Sequence, residues 1–192
     1  MGNLKTANVF LFMINPSVEL ADYGTQSNEQ FQSLLKAELA QSRSTCLALD
    51  PDYWWTSWFR YYSALFRPTL EALCKKSNLS YYDALKRCAD KVAILELVPY
   101  FSQQASTIVD LFDELPSAVK AKAAAEEICL RAESGDVSVL IRWSNEAQQN
   151  DRWKLGKLPP ERVKSSSSRS GFSKDARTFL LNSLADAIKK ES

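Results

Sequence analysis

The stretch Asn8-Val9-Phe10-Leu11-Phe12-Met13-Ile14-Asn15-Pro16-Ser17 decides the fold class. From Val9 to Ile14 the run is apolar without interruption, so neither face of an extended chain would be polar. That pattern predicts a strand over Asn8–Ile14 buried on both faces, as in a parallel sheet covered by helices. The strand is predicted to stop at Asn15-Pro16, because proline lacks an N–H and biases the residue before it.

Working outward, two further buried strands are predicted. One is Val92–Val98, broken only by Glu96 and ended by Pro99, and the other is Val137–Trp143. Thr45–Leu49 reads as a short extended piece ended by Asp50-Pro51. Helical signals lie between them. Ser27-Asn28-Glu29-Gln30 resembles a capping box opening a helix to about Gln41, with Phe31, Leu34, Leu35 and Leu39 on one face. A helix is expected over the aromatic run 53–62, and Pro68 is placed in the first turn of a separate one, Thr69 to about Lys76. Others are expected over Tyr81–Asp90, Pro116 to about Glu133 and Lys174–Lys190. Alternation of strands and helices over 192 residues predicts one domain spanning 1–192, of class α/β with a mainly parallel sheet. In such sheets ligands bind beyond the carboxyl ends of the strands.

Composition narrows the chemistry. The chain has no histidine, which excludes Ser-His-Asp and Cys-His catalysis. Four scattered cysteines, Cys46, Cys74, Cys88 and Cys129, form no CxxC pair and read as buried reduced thiols. No metal site and no cofactor is expected from these residues. The first apolar run is too short to span a membrane and does not read as a signal peptide, so the expectation is a cytoplasmic protein without a membrane partner. Net charge is +1, yet residues 151–177 hold eight Lys or Arg against three acids. That basic segment, with its serine run, suits phosphate contacts or is a solvated surface strip.

Three features could carry function. Asn15, directly after a buried strand, offers both a donor and an acceptor, or else closes an Asx turn. Glu96 is a carboxylate in an apolar strand, which calls for a cationic partner or a role in a pocket. In the aromatic run, Trp55, Phe59 and Tyr62 recur at helical spacing, as do Trp54, Trp58 and Tyr61. This predicts a wide core-facing stripe, the alternative being a stacking platform for bases. Tyr100 and Phe101 are the better stacking candidates, because they leave a strand at the edge of the expected site.

Together these pieces resemble the uracil-DNA glycosylase superfamily, nearest its mismatch-directed branch. Phe12-Met13-Ile14-Asn15-Pro16-Ser17 is similar to a first strand ending in Ile-Asn-Pro-Gly. Ser168-Arg169-Ser170-Gly171-Phe172-Ser173 is similar to a late Asn-Pro-Ser-Gly-Leu-Ser loop, and Ile94-Leu95-Glu96-Leu97-Val98 to a strand bearing a base-reading residue. The resemblance implies a three-layer α/β/α fold and recognition of a nucleobase, in nucleic acid (DNA first) or in a nucleotide. It implies that Asn15 holds the water attacking the sugar C1′, and that Ser17, Tyr23, Glu96 and Tyr100 contact the base. Ser168, Arg169, Ser170 and Lys164 would contact the nucleic acid. Ser17 stands where the family has glycine, and Ser168 where it has Asn or His. Glu96, an acceptor, suits an amino-bearing base edge better than the O4 of uracil. An N-glycosidase, a catalytically silent recognition module and a protein-interaction factor all fit these residues.

Overall fold

The computed structural model describes residues 1–14, 24–25, 27–98, 114–142, 153, 161–166 and 171–189. Strands β1 (Val9–Met13), β2 (Val92–Glu96), β3 (Ser138–Arg142) and β4 (Val163–Ser166) form a four-stranded parallel sheet in the order β2-β1-β3-β4. The helices are α1 (Glu29–Leu39), α2 (Ser57–Ser77), α3 (Tyr81–Lys91), α4 (Pro116–Glu133) and α5 (Lys174–Lys189), with a 3-10 turn at Pro51–Tyr53. This is an α/β fold. Among the described residues no helix is long and apolar enough to cross a membrane.

By its contacts the chain divides into two compact units, each assembled from separate segments. One comprises Met1–Val9, Glu19–Ala93 and Arg177–Ser192, and the other Phe10–Val18 and Ile94–Ala176.

In the second unit β1 supplies the core. Phe10, Leu11 and Phe12 are fully buried, and Phe10 and Phe12 share one face by the two-residue period of a strand. The Arg131 guanidinium of α4 lies 5.4 Å from the Phe10 ring centre, and the Trp153 ring 4.9 Å from that of Phe12. Between α4 and β3 the chain turns at Gly135, whose φ of +86° only glycine adopts without strain. Strand β4 was not expected from sequence. Its Lys and Ser residues hide the strand pattern, but Val139 N donates to Arg162 O at 2.8 Å, and Val139 to Arg142 run in register with Val163 to Ser166. As an edge strand, β4 tolerates the polar residues that a central strand would not.

In the first unit several expectations are corrected. Thr45–Leu49 is a turn, although Cys46 to Leu49 are buried as an internal strand would be. Their backbone is satisfied elsewhere: Cys46 N donates to Ala89 O at 2.8 Å and Leu47 N to Glu38 Oε1 at 2.7 Å. Glu38, not Leu39, faces inward from α1, being 4% exposed where Leu39 is 82% exposed. The same Glu38 oxygen accepts from Gly2 N at 2.8 Å, so one carboxylate satisfies two buried donors from distant segments. Gly2 has φ +85°, and a Cβ there would fall 2.6 Å from Val92 O. Asn28, not Ser27, caps α1, accepting from Phe31 N at 3.0 Å.

Pro68 does not begin a new helix; α2 runs through it without a break. Proline 68 and Ala64, whose carbonyl it leaves without an N–H partner, are both exposed, so water can satisfy that oxygen. The predicted core-facing aromatic stripe is also corrected. Tyr62 is buried, but Trp54, Trp55 and Tyr61 are exposed, and the buried stripe of α2 continues through Leu65, Phe66, Thr69, Leu70 and Leu73.

Replacing Glu38 with alanine would strand two buried N–H donors, so Glu38→Ala should lower unfolding stability by about 3 to 5 kcal/mol. Its neighbour provides the control: Leu39→Gln should stay within about 0.5 kcal/mol of wild type. Urea denaturation of the two variants checks the pair. Equal losses would mean that the inward face of α1 is misassigned.

Candidate functional site

The carboxyl ends of the parallel strands are where a site can form, because the loops leaving them share one edge of the sheet. The strand order sharpens this. From β1 the chain proceeds to β2 on one side, and from β3 to β4 on the other, so the direction of winding reverses between β1 and β3. A crevice opens beyond the carboxyl ends of two such neighbours, since their following connections diverge.

Pairing of β1 with β2 extends past the strand ends. Leu97 N donates to Met13 O at 2.9 Å and Val98 N to Ile14 O at 2.8 Å. This register puts Glu96 opposite Met13, two residues before Asn15 in sequence. Glu96 is the last residue of β2 and is half-buried. On the other side of the crevice β3 ends at Arg142, also half-buried and in register with Ser166 of β4. Arg142 was missed by the sequence reading, although a charged residue ending an apolar strand is the same signal that singled out Glu96.

Ser166 is buried, and its Oγ accepts from Ser173 N at 3.2 Å. Ser173 Oγ in turn accepts from Ala176 N at 3.2 Å, capping α5. The two flanks of the serine-arginine segment are thereby tied to each other at a helix N-terminus, where backbone N–H groups and the helix dipole favour anions. Lys164 lies on β4 opposite Leu140 and is half-buried. Of the residues singled out from sequence, Glu96 and Lys164 are therefore placed on the two outer strands of this sheet, β2 and β4, with β1 and β3 between them. Asn15, Ser17, Tyr23, Tyr100, Ser168, Arg169 and Ser170 lie outside the described residues, as do Phe101, Trp143, Ser144 and Asn145.

Two other clusters compete as sites. The first surrounds Asp50, which caps the 3-10 turn by accepting from Asp52 N at 3.2 Å. Arg43 approaches Asp50 at 3.1 Å and Lys86 at 3.0 Å, and Lys86 also reaches Asp52 at 2.7 Å. The Lys86 hydrogen bond holds the Asp52 carboxyl below the ordinary range, and Asp52 chiefly holds the Lys86 ammonium above its own. Cations and carboxylates are matched here, so the cluster fastens the 3-10 turn to α3.

The second consists of the thiols. Cys46, Cys88 and Cys129 are buried and Cys74 is half-buried, all of them reduced. Burial is the main cause that pushes Cys46 and Cys129 up to about 12, with the Glu38 charge adding to Cys46, and it pushes Cys88 up as well. These three groups are thiols at neutral pH and are poor nucleophiles.

Compared with known proteins, the chain matches no family model, no curated protein and no solved structure.

The thiols set an alkaline limit on stability. From an ordinary value of 9.0, the unfolded chain loses these protons first, so it binds fewer protons than the folded state between pH 9 and 12. Unfolding free energy should fall across that window, by up to about 1.4 kcal/mol per pH unit for each buried thiol. Cys46→Ala should flatten the slope even though it lowers stability at neutral pH. Denaturation curves at stepped pH check this, and a slope indifferent to the substitution would contradict the burial of the thiol.

Proposed function

We propose that this chain is a divergent uracil-DNA-glycosylase-like protein of three-layer α/β/α architecture. Its ligand is a nucleobase, in DNA or in a nucleotide, bound at the carboxyl edge of the sheet, and its chemistry is hydrolysis of the N-glycosidic bond. The observation that carries this reading is the reversal of winding between β1 and β3, with Asn15 next in sequence after the buried Ile14 that follows β1. Glu96 on β2 and Arg142 on β3 flank that point with opposite charge.

In this reading the Asn15 amide holds a water whose oxygen bonds to C1′ while the C1′–N bond breaks. The bonding electrons leave with the base, which takes up a proton from solvent. The base must first leave the stack, at a cost of a few kcal/mol. Glu96 accepts hydrogen bonds from an amino-bearing base edge, which separates this chain from readers of uracil O4. Arg142 ends β3 beside that point, and a cation near the departing anionic base lowers the barrier most when charge develops. Ser17 and Tyr23 after β1 and Tyr100 after β2 border the base. Lys164 on β4, with Ser168, Arg169 and Ser170 in the segment tied off by Ser166 and Ser173, meets the phosphates.

The test is a panel of labelled oligonucleotides carrying uracil, mismatched thymine, deaminated purines and alkylated bases, scored for abasic sites. Wild type should release one base, preferring an amino-bearing edge. Asn15→Ala should reduce the rate by at least about 100-fold with binding kept within a few-fold, and Glu96→Gln should change which base is released. Binding without release on every substrate would establish a silent recognition module instead. Neither binding nor release would sink the nucleobase reading and leave a protein-interaction role.

A further inference from the structure

The aromatic run that the core does not absorb has a chemistry of its own. Trp54 is 68% exposed, Tyr82 54% and Trp55 42%, with Tyr61 and Tyr81 similarly open. Between residues 51 and 91 every large exposed apolar side chain is Trp or Tyr, whereas the exposed aliphatic residues Leu39, Val119 and Leu130 lie elsewhere in sequence.

Trp55, Tyr81 and Tyr82 are held in place through their rings or hydroxyls. The Trp55 ring stands edge-on to Phe31, centroids 5.8 Å apart. Trp54 ends the 3-10 turn, its N–H donating to Pro51 O at 3.2 Å. The Tyr82 hydroxyl donates to Asp52 Oδ1 at 3.2 Å, bringing α3 against that turn, and Lys86 Nζ lies 5.9 Å from the Tyr82 ring centre. Tyr81, next in the chain, is hydrogen-bonded to Arg67 of α2. Contacts thus run from Arg67 through Tyr81 and Tyr82 to Asp52 and Trp54.

The charges on this surface are sorted. Asp50 and Asp52 are paired with Arg43 and Lys86, while Asp83 beside Tyr82 is hydrogen-bonded to Ser80, and Glu71 acts on Tyr81. Arg60, Arg67 and Arg87 point outward from α2 and α3. A partner therefore meets flat aromatic faces interspersed with guanidinium groups. Open indole and phenol faces with arginines beside them suit unpaired bases strung on a polyanion. A lipid surface would call for aliphatic side chains among the rings.

We propose that Trp54, Trp55 and Tyr82, with Arg67 and Arg87, form a stacking surface for single-stranded nucleic acid. It is separate from the carboxyl-edge site and independent of any glycosidic chemistry there. Bases stack on the rings without regard to sequence, and the arginines follow the phosphates. Fixed rings lose little freedom on binding, so more of the stacking energy appears as affinity.

The experiment uses fluorescein-labelled oligothymidylate at low salt, read by anisotropy. Oligothymidylate carries none of the amino-bearing bases assigned to Glu96. Binding should be measurable and should weaken as salt rises, with the slope shrinking by about 0.7 when Arg67→Ala or Arg87→Ala removes one phosphate contact. Trp54→Ala and Tyr82→Ala, each confirmed folded by circular dichroism, should each weaken binding about tenfold. Val119→Gln, an exposed change on α4, should leave it unchanged. A base-free deoxyribose-phosphate chain should bind far more weakly than oligothymidylate. Equal binding of the two, or ring variants as tight as wild type, would overturn the proposal. So would binding to phosphatidylserine vesicles without binding to oligothymidylate.

Discussion

A strand with apolar side chains on both faces cannot lie at a surface, and its backbone polar groups must still be paired on both edges. Strand β1 imposes that constraint here. Its residues are buried along its whole length, so it lies inside the sheet, with β2 along one edge and β3 along the other. Parallel strands need long crossovers, which accounts for α1 to α3 between β1 and β2 and for α4 between β2 and β3. The central place of β1 also fixes where winding reverses.

Polar residues in the interior are used as fasteners. Glu38 accepts from Gly2 N and Leu47 N and so replaces the ladder that Cys46 to Leu49 do not form. Asp50 joins Arg43, Lys86 and the 3-10 turn. Ser166 ties β4 to the residue capping α5. In each case a side-chain oxygen takes up backbone or charged donors from segments far apart in the sequence. Losing such an acceptor leaves buried donors unsatisfied, which costs more than the hydrogen bond itself contributes. The cysteines are spectators by comparison, kept as thiols by the burial that makes them useful as packing.

The two surfaces set apart by their side chains differ in kind. Glu96 and Arg142 end two strands, β2 and β3, that stand on either side of β1. Trp54, Trp55 and Tyr82 are exposed rings on a turn and a helix, offering flat faces without a hydrogen-bond code.

What the sequence determined by itself is whatever one local pattern dictates. The buried strands beginning near Val9, Val92 and Val137, the helix opened by Pro116 and the helix beginning at Tyr81 are all legible because periodicity or a single side chain suffices. So is the position of Glu96 at a strand end. Only the tertiary structure decided which polar or aromatic residue faces inward. Glu38 is buried beside an exposed Leu39 because two distant N–H groups converge on it, and no window of sequence contains both. Trp54 and Trp55 are exposed because they stand in the turn between Pro51–Tyr53 and the start of α2, outside its buried stripe. Strand β4 exists because the β3 edge offered hydrogen bonds to a polar segment whose own pattern says nothing of a sheet. Hydrophobic periodicity is a property of neighbours in the chain, whereas polar satisfaction depends on neighbours in space.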